Sequence, residues 1–498
     1  MKNRFLLLLI TALFPNIFSA QELNNLFTAL LDKNIFNGSA VISTSGKIIF
    51  SANYGFSNME KKEEISNQSQ FPIASITKTF TSTAVLQLQQ KGKLNINEPV
   101  QKYLADFPYP DITIRNLLNN TSGLEHEYQL FDAIIKEQPE KIISNQDIIP
   151  TFIRFKTPLS FQPGSKWNYN NINFCIAALI IEKVSGIKYA DYMQKNIFKP
   201  AKMKNSFVPL DRKSKSPNQV ELYTFPNFYS TELVNTKVAE EPFLILEKSN
   251  FYGNGGIVST VLDLQKYQKA LFNYEILDKK ELDEALNPTK LNDGTVVSYT
   301  VEGKELSYGL GWAMFTDESE GKIVFHDGFV TGLKSILLHN ITKNQSVILL
   351  SNLGNTPVFS IYNAIFNLIN KKLYTIPGQS LSRIYGSLLE NGNKEKADQL
   401  IQEYLKSPGN YEADEIDFNR LGYQFLRLQK NENSLRTFRS AILLFPKSWN
   451  VYDSYGEALY QSDKKEEAVE MYQKSLELNP QNIGAKEMII KISNPAKQ

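Results

Sequence analysis

The C-terminal part of the chain carries an internal period of 34 residues. Matching positions hold a small residue, an aromatic ring or a proline, in the pairs Gly422 and Gly456, Ser434 and Ala468, Phe438 and Tyr472, and Pro446 and Pro480. A fixed period of this length indicates a helix–turn–helix unit that buries its apolar face by stacking on its neighbours. The sequence therefore predicts an all-α helical-repeat domain over residues 376–498, with a weaker unit around Tyr385-Gly386 and Ala397.

These units resemble tetratricopeptide repeats, in which small residues lie where two helices pack closely. The resemblance implies a concave surface that could bind a protein or peptide partner. The alternative interpretation is that the helices only brace the preceding domain. Because few repeats are visible, the sequence leaves both interpretations open.

The preceding part of the chain has strand patterns near both of its ends and helical patterns between them. Short apolar-rich runs predict strands at 39–44, 47–50, 308–315, 322–326, 333–339 and 346–351. Helices are predicted at about 77–91 and 172–185, each followed by a glycine, and at 358–373. The expected fold class is α+β, with one antiparallel sheet flanked by helices over residues 21–375.

Residues 1–20 have the pattern of a secretory signal peptide. Lys2 and Arg4 precede the apolar run 5–14, and small residues follow up to Ala20. Cleavage is expected after Ala20, and the protein is expected to be exported, either periplasmic or secreted. The run of about ten residues is shorter than the roughly 20 residues of a membrane span, which disfavours an uncleaved anchor.

Charge and residue usage argue against several other classes of protein. The 498 residues include 54 basic and 52 acidic side chains, so the concentrated basic surplus of a nucleic-acid binder is missing and no nucleic-acid partner is expected. The single cysteine, Cys175, lies in an apolar run of helical length and is expected to pack in the core. His126, His326 and His339 lack metal-ligand spacing, so neither a metal nor another cofactor is predicted.

A Ser-x-x-Lys motif from Ser75 to Lys78 is the first candidate for catalysis. A serine hydroxyl is a weak nucleophile until a neighbouring base accepts its proton. Positions i and i+3 share a helix face, so the lysine amine can reach the serine. The motif also begins at Ser185, Ser319 and Ser462. Only Ser75 follows an extended segment at the start of a long helix, and the other three are expected to be surface coincidences.

A Tyr-x-Asn motif in a predicted loop is the second candidate. A nearby lysine would lower the pKa of the Tyr169 phenol from about 10 and let it relay a proton. The amide of Asn171 can donate to and accept from a substrate amide or ester. The similar run from Tyr252 to Asn254 continues into Gly255-Gly256 and is predicted to be a turn that lines a cleft.

The third candidate, His326-Asp327-Gly328, lies at the end of a predicted strand. A glycine there would let a substrate lie against the strand edge. The backbone N–H groups of Phe329 and Ser75 could then form an oxyanion hole, in which one donor contributes roughly 2.7–4 kcal/mol.

Together, and in this order, the three motifs resemble the serine β-lactamase and penicillin-binding-protein superfamily. The similarity is closest to class C β-lactamases, D-alanyl-D-alanine carboxypeptidases and related esterases, and covers about residues 25–370. Further matching segments are Thr113–Leu118, Thr121–Leu124, Phe161–Ser165, Gly255–Thr260 and Tyr308–Trp312. The resemblance implies that Ser75 is acylated and that Lys78 and Tyr169 are the acid/base pair. It also implies a substrate-amide contact at Asn171.

One departure from the family pattern affects the expected substrate. The family often has Lys-Thr-Gly where this chain has His326-Asp327-Gly328. A lysine would offer a substrate carboxylate a permanent positive charge, whereas histidine, with a reference pKa near 6.5, is mostly neutral at pH 7. We therefore expect esterase-like or peptidase-like hydrolysis of a small-molecule or peptide substrate, ahead of β-lactamase or D-alanyl-D-alanine carboxypeptidase activity.

Two other interpretations stay open. One is a non-catalytic ligand-binding or scaffold protein that acts through the helical repeats. The other is a Ser-His-Asp hydrolase with His326 or His126 as the base, which the lack of a Gly-x-Ser-x-Gly motif disfavours.

Overall fold

A computed structural model describes the chain over residues 14–211, 215–238, 249–301 and 304–493. Most of the predicted signal peptide lies outside these residues. The first described helix begins at Phe14, ends at Asp32 and includes the predicted cleavage position after Ala20. None of the helices in the described ranges has both the length and the apolar character that a membrane span requires.

The strands come from both ends of the N-terminal part of the chain. In chain order they are β1 (Gly38–Thr44), β2 (Lys47–Tyr54), β3 (Phe56–Asn58), β4 (Glu63–Glu64), β5 (Phe71–Pro72), β6 (Tyr223–Thr224), β7 (Val234–Asn235), β8 (Val258–Ser259), β9 (Tyr299–Val301), β10 (Lys304–Tyr308), β11 (Ala313–Asp317), β12 (Gly321–Val330), β13 (Leu333–Asn340), β14 (Gln345–Ser351), β15 (Gln379–Ser380) and β16 (Tyr411–Glu412). The main sheet has the order β2-β1-β14-β13-β12-β11-β10-β9, and its paired strands are antiparallel. Because β1 pairs with β14, the early and late strands form one sheet, as predicted.

Helices cover this sheet and then continue alone to the C-terminal region. In chain order they are α1 (Phe14–Asp32), α2 (Thr77–Gln90), α3 (Ile114–Leu118), α4 (Glu127–Glu137), α5 (Ile148–Phe155), α6 (Asn171–Ser185), α7 (Tyr189–Met193), α8 (Val261–Phe272), α9 (Lys279–Ala285), α10 (Val358–Ile369), α11 (Leu381–Glu390), α12 (Lys394–Lys406), α13 (Glu415–Arg427), α14 (Asn431–Leu444), α15 (Trp449–Gln461), α16 (Lys465–Leu478) and α17 (Ile483–Ser493). One apolar core lies between the sheet and helices α1 and α10, and a second contains helices α2, α6 and α8. The predicted α+β fold with a following helical-repeat region is confirmed.

Several predicted boundaries are wrong, and strands β2 and β12 each end four residues later than predicted, at Tyr54 and Val330. The run 308–315 is predicted to be one strand, but β10 ends at Tyr308 and β11 begins at Ala313. Gly311 between them has a φ of 78°, which favours glycine and turns the chain. Helix α10 ends at Ile369 instead of near residue 373, because Lys371 adopts a left-handed φ of 57°, which ends a helix.

The C-terminal helices form stacked antiparallel pairs, α11 with α12, α13 with α14 and α15 with α16, followed by α17. The first helices of successive pairs are neighbours. A Cβ atom at Gly422 would lie 2.5 Å from the ring of Phe438, and one at Gly456 would lie 3.1 Å from the ring of Tyr472. The 34-residue period therefore marks close contacts within the second and third helix pairs.

Candidate active site

Ser75 lies where an extended segment turns into helix α2. Strand β5 pairs with β8, and the Ile73 N–H donates to the Ile257 carbonyl at 2.9 Å. A 3₁₀ turn over Ala74–Ile76 follows, and α2 begins at Thr77. Ala74 has a φ of 45°, a left-handed conformation that costs energy for alanine. Strained backbone of this kind clusters at functional sites, and here it directly precedes the predicted nucleophile.

The Lys78 side chain is fully buried, and its amine is hydrogen-bonded to other residues of the site. Its Nζ lies 3.0 Å from Ser75 Oγ, 2.8 Å from Asn171 Oδ1 and 2.8 Å from the Asn254 carbonyl oxygen. The amide and carbonyl oxygens can only accept hydrogen bonds. A neutral amine could donate to both of them and direct its lone pair at the serine hydroxyl. Of these three contacts, the one with Ser75 is thus the contact along which a proton can move.

Glu127, which the sequence reasoning missed, fixes the orientation of the Asn171 amide. Asn171 Nδ2 donates to Glu127 Oε1 at 2.7 Å, which leaves the amide oxygen facing Lys78. The other carboxylate oxygen, Oε2, is buried and makes no hydrogen bond within the described part of the chain. Asn170 Nδ2 donates to the Leu124 carbonyl at 2.7 Å and holds the two segments together. No local pattern marks this glutamate in the sequence, because its partner lies 44 residues away.

Tyr169 lies beside the serine and the lysine. The Lys78 Nζ is 4.8 Å from the centre of its ring, and its hydroxyl is hydrogen-bonded with Ser75. Burial raises the pKa of Tyr169 well above the usual 10, and the hydrogen bond with Ser75 opposes this only partly. The prediction of a lowered pKa is therefore wrong, because burial outweighs the neighbouring charge. At neutral pH Tyr169 is a phenol that can donate a proton.

His326 is buried and has partners for both ring nitrogens. Its Nδ1 lies 2.7 Å from the Asp327 carbonyl oxygen and donates to it, so its Nε2 accepts from the Tyr308 hydroxyl at 3.2 Å. Burial is the main cause that lowers the pKa of His326 from 6.5 to about 4. His326 is therefore neutral at pH 7 and offers a substrate carboxylate no positive charge. In a Ser-His-Asp triad the ring nitrogens bond a carboxylate and the serine hydroxyl, whereas those of His326 bond a backbone carbonyl oxygen and the Tyr308 hydroxyl.

Acidification is expected to destabilise the fold through two buried histidines. Burial also lowers the pKa of His339 to about 4, so between about pH 4 and 6.5 the folded state binds fewer protons than the unfolded state. The free energy of unfolding should therefore fall as the pH drops through this window, by up to ~3 kcal/mol for each histidine. Urea denaturation at pH 7 and pH 4.5 measures the difference, which His326→Gln and His339→Gln should each reduce. The matched control is His126→Gln, and an unchanged difference in both buried-site variants would contradict this prediction.

Gly328 allows the segment that carries Ser75 to cross strand β12. A Cβ atom there would overlap the Ile73 carbonyl oxygen and lie 3.2 Å from the Ala74 Cβ. The structure thus gives this glycine a packing role, and its predicted role of making room for substrate stays a prediction. Strand β11 pairs with β12 only over residues 321–325, and the half-exposed Phe329 side chain lines the cleft beyond that point. The oxyanion role of the Phe329 and Ser75 N–H groups stays a prediction.

Replacing Gly328 by alanine is expected to displace Ser75 while leaving the fold intact. Misplacing a reacting group by about 1 Å can cost about 100-fold in rate, so kcat/KM for an ester should fall by about that factor. Gly484→Ala in helix α17 is the matched control, because a Cβ there meets only the flexible Asn482 side chain at 3.4 Å. Equal kcat/KM values for the two variants would show that Gly328 does not position the nucleophile.

A cavity of about 620 Å³ opens beside Ser75. Aromatic rings form much of its wall, contributed by Tyr128, Trp167, Tyr299, Tyr308, Phe325 and Phe329. Trp167 stacks on Tyr299 with 4.3 Å between ring centres. Asn254, Gly255 and Gly256 also line the cavity, which confirms the predicted cleft-lining turn. Asp327 and Lys334 lie at its edge and form an ion pair at 3.4 Å.

The other Ser-x-x-Lys motifs lack this arrangement. Ser185 ends helix α6 and is separated from its lysine by the left-handed Gly186. Ser319 lies between strands β11 and β12, and Ser462 follows the last residue of α15. None of the three serines shares a helical turn with its lysine. Cys175 is buried in α6, as predicted for a core thiol. Among the described residues, no cluster of three or more His, Cys, Asp or Glu side chains is arranged to hold a metal ion.

Comparison with known proteins agrees with this geometry. A family model described as Beta-lactamase matches residues 23–369, and one described as Tetratricopeptide repeat matches residues 449–482. Penicillin-binding protein 4* of Bacillus subtilis (strain 168) is 31% identical over 335 residues, which cover 67% of this chain and 71% of that protein. The putative penicillin-binding protein PbpX of the same strain is 30% identical over 342 residues, which cover 68% and 76%. The chain therefore belongs to the β-lactamase family and is a serine hydrolase related to penicillin-binding proteins, with tetratricopeptide repeats at its C-terminal end.

Solved structures show the same fold. A penicillin-binding protein from Bacillus halodurans superposes with a TM-score of 0.57 at 24% identity, covering 69% of this chain and 98% of that one. The D-amino acid amidase from Ochrobactrum anthropi SV3, complexed with L-phenylalanine amide, gives a TM-score of 0.55 at 22% identity, covering 70% and 99%. Both matches cover nearly the whole of the other protein, so the chain contains the complete fold.

Proposed function

We propose that this chain is an exported serine hydrolase that forms an acyl-enzyme at Ser75 and cleaves an ester or amide with an apolar acyl group. The observation that carries the proposal is the position of the buried Lys78 amine. It contacts the Ser75 hydroxyl and two oxygens that can only accept hydrogen bonds. A lysine held this way can serve as the base that a serine nucleophile needs.

In the proposed reaction, Ser75 Oγ attacks the substrate carbonyl while the neutral Lys78 amine accepts its proton. The backbone N–H groups of Ser75 and Phe329 hold the oxyanion. Tyr169, a phenol because of its raised pKa, donates its proton to the leaving group and regains one from the Lys78 ammonium. Water then attacks the acyl-enzyme by the same proton route and releases the acid.

The charges around the cavity support an uncharged apolar acyl group. Its wall is rich in aromatic rings, His326 is neutral at pH 7, and the Lys334 ammonium is paired with Asp327. Apolar pockets with few polar groups favour apolar ligands. β-Lactams and peptides ending in D-alanine carry a carboxylate, so β-lactamase and D-alanyl-D-alanine carboxypeptidase activities rank below the esterase-like activity.

A second candidate is amidase action on an amino-acid amide. The buried Glu127 Oε2 makes no hydrogen bond within the described ranges, and its carboxylate is bonded to Asn171, a residue of the cavity wall. An ammonium group on the substrate would satisfy this oxygen. The D-amino acid amidase with the same fold makes D-phenylalanine amide a suitable probe. Glu127→Gln should lower its turnover more than that of a matched amide without an amino group.

Covalent labelling tests the main proposal. The protein is incubated separately with a fluorophosphonate and with a labelled penicillin, and adducts are mapped by mass spectrometry. A fluorophosphonate adduct on Ser75, with faster hydrolysis of nitrophenyl phenylacetate than of nitrophenyl succinate, would support the proposal. Folded protein that acquires no adduct from either probe would favour a non-catalytic binding protein. Nitrocefin turnover at the rate of the best ester would place β-lactamase activity first.

Two further parts of the proposal concern location and partners. Residues 1–20 are proposed to direct export, and mass spectrometry of the mature N-terminus after expression in a bacterial host tests cleavage after Ala20. The repeats are proposed to bind a protein partner on the part of their surface that the chain itself leaves open.

A further inference from the structure

The hairpin of β6 and β7, residues 223–235, reaches from the hydrolase domain to the repeats and is called the bridging hairpin here. Its two strands pair in the register Tyr223 with Asn235. The base of the hairpin is tied to the segment that follows β14, because the Tyr223 N–H donates to the Asn352 carbonyl at 3.0 Å and the Gly354 N–H donates to the Tyr223 carbonyl at 3.2 Å.

The base also packs on the turn between β12 and β13, residues 331–332. Gly332 has a φ of 78°, and a Cβ atom there would lie 2.8 Å from Leu222 Cβ and 2.9 Å from the Tyr223 nitrogen. Phe329, Val330 and Thr331, just before this glycine, line the catalytic cavity. The base of the hairpin therefore lies directly behind one wall of the cleft.

The tip of the hairpin, residues 225–230, lies on the first helices of the first two repeats, α11 and α13. Tyr229 stacks on Phe425 with 5.4 Å between ring centres and an interplanar angle of 7°. The Phe228 N–H donates to Gln424 Oε1 at 2.8 Å. The Arg383 guanidinium lies 3.8 Å from the centre of the Phe225 ring.

Arg383 also clamps the backbone of the tip. Its Nη1 donates to the Asn227 carbonyl at 2.7 Å and to the Ser230 carbonyl at 2.9 Å. The Asn227 side chain closes the turn by accepting from the N–H groups of Tyr229 at 3.1 Å and Ser230 at 2.6 Å. The repeats thus bind this segment through its rings and its main chain, as a receptor binds a structured peptide.

We propose that the repeats act in cis as a receptor for the tip of the bridging hairpin, and that this contact positions the β12–β13 turn at the wall of the catalytic cleft. Arg383 is then a positioning residue for substrate binding, although it lies outside the hydrolase domain. The repeats would then brace the hydrolase domain as well as bind a partner on their open surface, and the bracing would have a target in the active site.

The test replaces Arg383 by glutamine in the full-length protein. KM for an apolar ester should rise about fivefold or more, the lower end of typical coupling between sites, while kcat changes less than twofold. Hydrogen–deuterium exchange should become faster in two places, the tip at 225–230 and the turn at 331–333. The matched control is Arg436→Gln, since Arg436 pairs with Asp398 at 2.6 Å on other helices of the repeats.

A second variant approaches the same contact from the hairpin. Tyr229→Ala removes the ring stacked on Phe425 and keeps Arg383, so it should give the same rise in KM and the same faster exchange. This variant provides the test if Arg383→Gln does not fold. The double variant should add little to the larger single effect, because both residues serve one contact. Exchange that changes only in the tip and the repeats, with residues 331–333 as in the parent, would overturn the proposal. The exchange measurement needs no activity, so it stays decisive if the proposed hydrolase function fails.

Discussion

Replacing Ser75 by alanine is expected to lower kcat/KM for a nitrophenyl ester by about 10⁴-fold or more, as for enzymes whose serine nucleophile is removed. Without Oγ no acyl-enzyme can form, and the Lys78 amine loses the hydroxyl that lies 3.0 Å away and can give it a proton. Hydrolysis rates and the mass of the fluorophosphonate adduct measure the effect. The temperature of thermal unfolding should change little, because the variant removes only one hydroxyl and the Lys78 amine keeps its hydrogen bonds to Asn171 and the Asn254 carbonyl.

The chain itself provides matched controls for this experiment. Ser185→Ala and Ser462→Ala alter the same sequence motif outside the cleft and should keep the parental rate. Hydrolysis by Ser75→Ala at the parental rate would show that the site is assigned to the wrong residue. A loss of similar size in Ser185→Ala would mean that the assay reports folding instead of chemistry.

The features that the sequence predicts well depend on neighbours along the chain. Helix α2 begins and ends within a residue of its predicted limits, because its apolar pattern and the following Gly92 are local signals. The contact of Lys78 with Ser75 follows from their spacing on one helix. The close packing at Gly422 follows from the repeat period in the same way.

The features that it misses depend on burial and on partners far along the chain. The Tyr169 pKa moves in the direction opposite to the prediction, since the amount of apolar surface around a loop tyrosine is set by the tertiary structure. Glu127 meets Asn171 only after residues 124–127 pack against the loop before α6. The tip of the bridging hairpin has the sequence of a loop, and its binding site on Arg383 is more than a hundred residues away.

Two variants of Lys78 can separate its possible roles. If the amine accepts the serine proton, Lys78→Met should lower the rate of acylation by about 10²–10⁴-fold, the usual contribution of general acid–base catalysis. Lys78→Arg should lower it by a similar factor, because a guanidinium keeps the charge but does not lose its proton in proteins. If the charge alone mattered, the arginine variant would instead retain most of the rate.

The rate of fluorophosphonate labelling measures the attack of the Ser75 oxygen on phosphorus, a step that needs the same removal of the serine proton as acylation. Lys188→Met at an exposed position is the matched control. Tyr169→Phe completes the comparison, because it removes the hydroxyl that is hydrogen-bonded with Ser75 and keeps the ring beside Lys78. In the proposed route the Tyr169 phenol gives its proton to the leaving group. The leaving group of an amide needs that proton, whereas the leaving group of a nitrophenyl ester departs as a phenolate. The variant should therefore slow the hydrolysis of amides more than that of nitrophenyl esters. Equal losses of rate for amides and esters would assign Tyr169 to the attack of Ser75. An unchanged labelling rate in Lys78→Met would show that another group takes the serine proton.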